Sequence, residues 1–256
     1  MISRYFATVK ISAKQRVSGG VLYLYLSYLI RLILLLVLIC FWTVLFNNHT
    51  QSGMTLRQML TYTCLSNLLG ELLNVQTPAT SWLGGDFFIN ACKRPTSILG
   101  DFTAQTVGGW LQMLLLFSLP MIMVLPLFGI SMIPVSMWWF PSLLLTISLG
   151  FCIDYLFACL ILRLRNAVWL AHTIRNAITG MFSGAFIPFA LLPWGMGNVL
   201  KWLPFGSLAG APLSIFVGTG NPAELIPVQI VWNLMLWPLT ILYFYKSRER
   251  MVSYGG

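Results

Sequence analysis

VLYLYLSYLIRLILLLVLICFWTVLF, residues 21–46, decides the fold, because it holds a single charge, Arg31, in an otherwise almost wholly apolar run. A helix needs about 20 apolar residues to cross the hydrocarbon core of a bilayer, and lipid leaves no partner for an unpaired backbone. The run therefore reads as a membrane-crossing helix. It is too long for the apolar part of a cleaved leader and is followed by no small-residue cleavage pattern, so it reads as a retained first span. Further runs of the same kind are expected at about 57–77, 103–128, 138–162, 168–188 and 225–245. Together these predict an all-α membrane protein of six transmembrane helices in one domain over residues 1–256.

Composition agrees with this reading. The chain is 58% hydrophobic and only 8% charged, where soluble domains carry about 25% charged residues. A net charge of +9 would suit nucleic acid in a soluble protein. Here the cations stand in short clusters between apolar runs, so they read as topology signals and exclude a nucleic-acid surface. With the N-terminus in the cytosol, the inner side receives Arg4, Lys10, Lys14, Arg16, Lys93, Arg94, Arg163, Arg165, Lys246, Arg248 and Arg250, and the outer side only Arg57 and Lys201. That asymmetry predicts an even number of spans, both termini cytosolic, and a multi-pass protein of a bacterial cell membrane.

In residues 1–17, Ile2, Phe6, Val9 and Ala13 recur at helical spacing while Arg4, Lys10 and Lys14 lie off that stripe. An amphipathic helix lying on the inner membrane surface accounts for the pattern, with a basic tail serving only as an orientation signal as the alternative. From Phe189 to Glu224 the chain is too apolar for a solvated loop and too rich in proline and glycine for a regular helix. That stretch reads as a re-entrant or interfacial segment before the last span. The five cysteines, odd in number and without C-x-x-C spacing, read as reduced packing residues.

Catalytic and metal motifs are missing from the sequence. There is no G-x-x-x-x-G-K-[ST] phosphate loop, and the two histidines, His49 and His172, fall on opposite predicted sides. No metal-ligand cluster is expected. Ser183 within Gly180-Met-Phe-Ser-Gly184 reads as close helix packing rather than a nucleophile. Charges inside spans cost about 2.5–3.5 kcal/mol each at a helix centre, so each asks for a partner. Arg31, Glu71, Asp154 and Arg175 fall at one predicted depth. Opposite signs there invite Arg31 with Glu71, and Asp154 with Arg175, either as pairs that hold the bundle or as pairs that rearrange during transport.

The segment DFFINACKRPTSILGD (86–101) places Phe87, Phe88 and Ile89 beside Asp86, Lys93 and Arg94 on the cytosolic side. It reads as a helix exposed to a soluble partner, or as an interfacial connector. Around Gly184, Pro188, Pro193-Trp194, Pro204-Phe205, Pro212 and Val217-Gly218, the chain resembles the C-terminal part of type-2 ABC transporter permeases. The loop ending Lys93-Arg94-Pro95 is similar to the cytosolic connection after their second span. The resemblance implies an export permease that forms the translocation pathway as a dimer with an identical or related second permease, in contact with membrane lipid. Separate cytosolic ATP-binding subunits would drive it, holding ATP and magnesium, while this chain holds no cofactor and performs no enzyme chemistry. It also implies that 86–94 couples to the ATPase. A proton-coupled secondary transporter using Asp154 or Glu71 is the alternative.

Overall fold

The computed structural model describes residues 2–18, 20–48, 53–80, 97–163 and 168–254, and all regular structure among them is helical. Helix α1 spans Ile2–Ser18 and α2 Val21–Asn48; α3 (Leu56–Leu68) is followed at once by the single turn α4 (Gly70–Leu73). Helix α5 runs Ile98–Phe128, α6 Trp139–Arg163, α7 Val168–Phe182, α8 Met196–Leu200, α9 Gly210–Val217 and α10 Pro222–Tyr254.

Four of these are long and apolar enough to cross a membrane: Leu22–Asn47, Ile98–Phe128, Trp139–Leu160 and Pro222–Ser247. At 1.5 Å per residue even the shortest, with 22 residues, reaches about 33 Å, against a hydrocarbon core of about 30 Å. The chain is thus a multi-pass membrane protein. Among its described side chains, helix α2 buries only Leu35 and Trp42 and leaves Leu22, Leu29, Ile33, Leu36 and Val44 about half exposed or more. In a bilayer that surface meets lipid or another protein.

The expected spans at 57–77 and 168–188 are shorter. Thr55 caps α3, its hydroxyl accepting from Gln58 N–H while the Gln58 side chain accepts from the Thr55 N–H. The helix then holds for only 13 residues before Leu69 leaves helical geometry at φ −100°, ψ 10°. Helix α7 has 15 residues and stops before Gly184, whose φ of +77° lies in the left-handed region that favours glycine. Polar residues enter both segments where their apolar periodicity ends.

Helix α5 survives two internal prolines by changing its winding. Pro120 has no N–H to offer the carbonyl four residues back, and the preceding turn widens to a π-helix over Leu114–Ser118, with Leu119 N–H reaching Leu114 O. A 3-10 turn through Pro126 ends the helix at Gly129, φ +78°.

Helix α6 is the hub, with 56% of its spanning window buried, and α10 packs along it. Gln229 of α10 accepts from Ser142 Oγ at 2.9 Å and donates to Thr146 Oγ1 and Ser207 O, both at 3.0 Å. Tyr62, Phe102, Phe151, Tyr155, Leu213 and Phe216 form the main core between α3, α5, α6 and α9.

Helix α1 packs on the first half of α5. Tyr5 Oη lies 3.3 Å from Ser97 Oγ, Thr8 Oγ1 donates to Asp101 at 3.2 Å, and Gln112 donates to Ala13 O at 2.9 Å. Gly108 permits the approach, since a Cβ there would strike the Val9 carbonyl and lie 2.9 Å from Ser12 Cβ. The inward face is Tyr5, Thr8, Val9, Ser12 and Ala13, whereas Phe6 is 70% exposed. Val9 and Ala13 of the expected stripe thus face α5, while Phe6 is left exposed.

Candidate functional site

A polar seam runs through the otherwise apolar bundle where α2, α3–α4, α6 and α7 meet. Two ion pairs anchor it. Arg31 of α2 places Nη2 2.9 Å from Glu71 Oε1 of α4, and both side chains are partly exposed. Asp154 of α6 and Arg175 of α7 are wholly buried, with Arg175 Nε 3.2 Å from Asp154 Oδ1. The latter contact does not have hydrogen-bond geometry. The carboxylate's other oxygen takes two hydrogen bonds from Thr77, 2.8 Å from its N–H and 2.6 Å from its hydroxyl. Arg175 Nη2 donates to Asn74 Oδ1 at 3.2 Å and to the Val75 carbonyl.

Residues 74–77 are the non-helical strap that follows α4, and this pair grips them from both sides. The strap has orphan backbone groups because α4 has just ended; Asp154 satisfies a donor and Arg175 an acceptor. Gly150 of α6 lets the strap close in, since a Cβ there would come within 2.5 Å of Val75 Cγ2. Two charges at this depth are tolerable because each meets the other and a backbone or side-chain partner.

Beside the strap lies a cavity of about 330 Å³ between α2, α3 and α7, whose lining includes Arg31, Thr63, Asn67, Asn74, Asn176 and Phe186. It shares Arg31, Gly70 and Asn74 with a second cavity of about 240 Å³ that reaches Glu71, Gln76 and Trp110. Arg31 and Leu38 both line the first, and they stand in the middle of the Leu22–Asn47 span. The wall is mostly apolar with polar groups set into it, and it stands beside the middle of that helix, where unmatched polar groups are costly in hydrocarbon.

The segment from Phe189 to Val217 is a chain of short pieces: 3-10 turns at Phe189–Leu191 and Pro193–Gly195, then α8, turns, and α9. It folds around the Phe189 ring, against which Gly184, Gly206 and Gly210 pack so closely that a Cβ on any of them would crowd the ring. Gly184 O accepts from Tyr62 Oη at 2.7 Å, tying the segment to α3. Pro188 and Pro212 are buried, Pro204 and Phe205 half-buried and Pro193 exposed. Pro212 sits in the first turn of α9, where its missing N–H has no helical partner to lose. Trp194 is 94% exposed and holds φ +55°.

The far end of this segment meets the start of α3 and the α5–α6 connection: Val135 N–H donates to Phe216 O at 2.9 Å, and Gln58 Nε2 to Val217 O at 3.4 Å. Lys201 pairs with Glu224 at 3.3 Å near the start of α10. Helix α1 and the start of α5 lie at the other end of the bundle, where Tyr155 Oη donates to Leu99 O and packs on Phe244.

Asp86, Phe87, Phe88, Ile89, Lys93 and Arg94 lie outside the described residues. Among the described residues, no three His, Cys, Asp or Glu side chains are placed to hold a metal ion. Sequence reasoning singled out neither Thr77 and Asn74, which complete the buried pair, nor Thr63 and Asn67 in the cavity wall. A signal existed in all four: a hydroxyl or amide within a membrane-depth run needs a partner. Compared with known proteins, the chain matches no family model and no curated protein.

Proposed function

We propose that the chain is the permease subunit of a type-2 ABC exporter, forming the pathway as a dimer and powered by separate cytosolic ATPase subunits. The observation that carries this reading is the order of elements: a basic amphipathic helix docked at the start of a long helix, a set of apolar helices, and a broken proline- and glycine-rich segment before the last. The sequence resemblance to those permeases rests on the same order. In this reading α3–α4 and α7, each extended by non-helical chain, complete six crossings, and both termini are cytosolic. The Phe189–Val217 segment enters the membrane from outside and returns, since α9 with 8 residues reaches only about 12 Å.

Energy enters through residues 86–94. Apolar Phe87, Phe88 and Ile89 rimmed by Asp86, Lys93 and Arg94 suit a docking contact in which a few aromatics supply most of the binding energy. ATP and magnesium are held by the ATPase. Its closure pushes on the loop, and the strap at 74–77, held by Asp154 and Arg175, passes the displacement to α6 and α7. The pathway between two permease copies then changes the side to which it opens.

Replacing both Phe87 and Phe88 by alanine should weaken association with the copurifying ATP-hydrolysing subunit by about tenfold or more, while membrane insertion is retained. Unchanged association and unchanged transport would remove the loop from the coupling site. Transport that ignores ATP and collapses with a protonophore would replace the whole reading by proton-coupled secondary transport.

A further inference from the structure

We infer that the cavity between α2, α3 and α7 binds the head of an amphiphile that is uncharged and rich in hydroxyl groups, with its apolar tail left in the surrounding lipid. This goes beyond the transport reading, and the binding it describes needs neither ATP nor an ATPase.

The chemistry of the wall selects the head. Arg31 lines this cavity and its partner Glu71 the adjoining one, and the ion pair at their border leaves no unmatched charge to attract an anion or a cation. The hydroxyls of Ser66 and Thr179 have given their protons to the carbonyls of Ala185 and Arg175, both at 2.8 Å. Their lone pairs remain as acceptors. Asn74 Oδ1 is used by Arg175, and Asn176 Oδ1 by Gln76 at 3.4 Å, which leaves amide N–H groups as donors. Thr63 Oγ1 and Asn67 Oδ1 have no hydrogen-bond partner. Both are shielded by their neighbours, so an occupant recruits them by rotation of the side chains about their own bonds. A wall that offers acceptors and donors together, without net charge, is matched by groups that both donate and accept. Hydroxyls do so; a phosphate, which only accepts when fully ionised, does not.

Position selects the tail. The cavity is level with the middle of α2, and the polar groups set into its mostly apolar wall have no satisfactory neighbour in hydrocarbon. Leu38 and Phe186 line it, and Phe186 is 68% exposed, so one side is an apolar margin continuous with the exposed surface of α2. A volume of about 330 Å³ falls at the lower end of the range of about 300–1,000 Å³ typical of small-molecule sites. It suits a compact head alone.

The test uses the full chain with Cys40→Ala, Cys92→Ala and Phe186→Cys in phosphatidylcholine nanodiscs, since the choline head carries no hydrogen-bond donor. Position 186 lines the cavity and is exposed, so maleimide labelling there reports occupancy. Monoglucosyl diacylglycerol should slow labelling by about tenfold, the scale of one to two net hydrogen bonds, and phosphatidic acid with the same chains should not. Adding Thr63→Val, which keeps the side chain's shape, or Asn67→Leu should abolish most of the protection. Protection by neither lipid, or equally by both, overturns the proposal. Protection that survives Thr63→Val and Asn67→Leu together overturns it as well.

Discussion

Replacing Arg175 by methionine should be among the most damaging single changes to this bundle. Asp154 and Arg175 are 0% and 2% exposed, and the substitution leaves the carboxylate buried with only the two Thr77 hydrogen bonds. Removing one partner of a buried pair costs about 3–5 kcal/mol, whereas removing both charges together is often close to neutral. At roughly 2–4 °C per kcal/mol for a chain of this size, the melting temperature should fall by about 6–20 °C. Cys64, Cys152 and Cys159 are buried, so in a Cys40→Ala, Cys92→Ala background a thiol-reactive fluorophore reports unfolding directly. The Asp154→Asn, Arg175→Met double variant should regain at least half of the loss. A fall below about 2 °C for Arg175→Met, or a double variant whose losses simply add, would refute the role given to the pair.

Gly108→Val should drive α1 off α5, because the new side chain meets the Val9 carbonyl and Ser12; overpacking costs about 1–3 kcal/mol, and trypsin should cut faster at the exposed Lys10 and Lys14, with an unchanged rate counting against the docking. Gln229→Leu strips partners from Ser142, Thr146 and Ser207 and should cost about 1–3 kcal/mol, read by the same thiol assay, where an unchanged melt would show the α6–α10 network to be dispensable. For orientation, cysteine at Lys201 should react with an impermeant reagent from outside and cysteine at Lys10 should not; the reverse pattern would invert the topology.

The long apolar helices were legible in the sequence because isolated charges such as Arg31 and Asp154 leave the apolar run long enough to span a bilayer. The stretches expected at 22–46, 138–162 and 225–245 correspond closely to Leu22–Asn47, Trp139–Leu160 and Pro222–Ser247. At 57–77 and 168–188 the helices are shorter than the apolar runs, because hydropathy averages over residues whose side chains compete with the helix. Asn74 and Thr77 bind the buried ion pair instead of continuing α4, and Gly184 turns the chain after α7. Opposite charges at one depth are readable from residue counting. The grip of that pair on the strap is not, since it depends on where α4 ends and on the missing side chain of Gly150. The contacts of α1 with α5 were hidden for a related reason, because a hydrophobic stripe carries no record of Thr8 meeting Asp101. The cavity had no linear signature, because its lining comes from α2, α3 and α7.

Under the proposed function, this chain is one half of a transmembrane pathway driven by another protein's ATP hydrolysis. Native mass spectrometry of the tagged chain, extracted from its own membranes in mild detergent, tests it most directly. Two permease chains, at least one of them this 28.8 kDa subunit, should appear together with two soluble subunits. Vanadate-sensitive hydrolysis in that complex should be lost when Phe87 and Phe88 are both alanine. A chain that emerges alone, with no ATP-hydrolysing partner and with transport that follows the proton gradient, would contradict it.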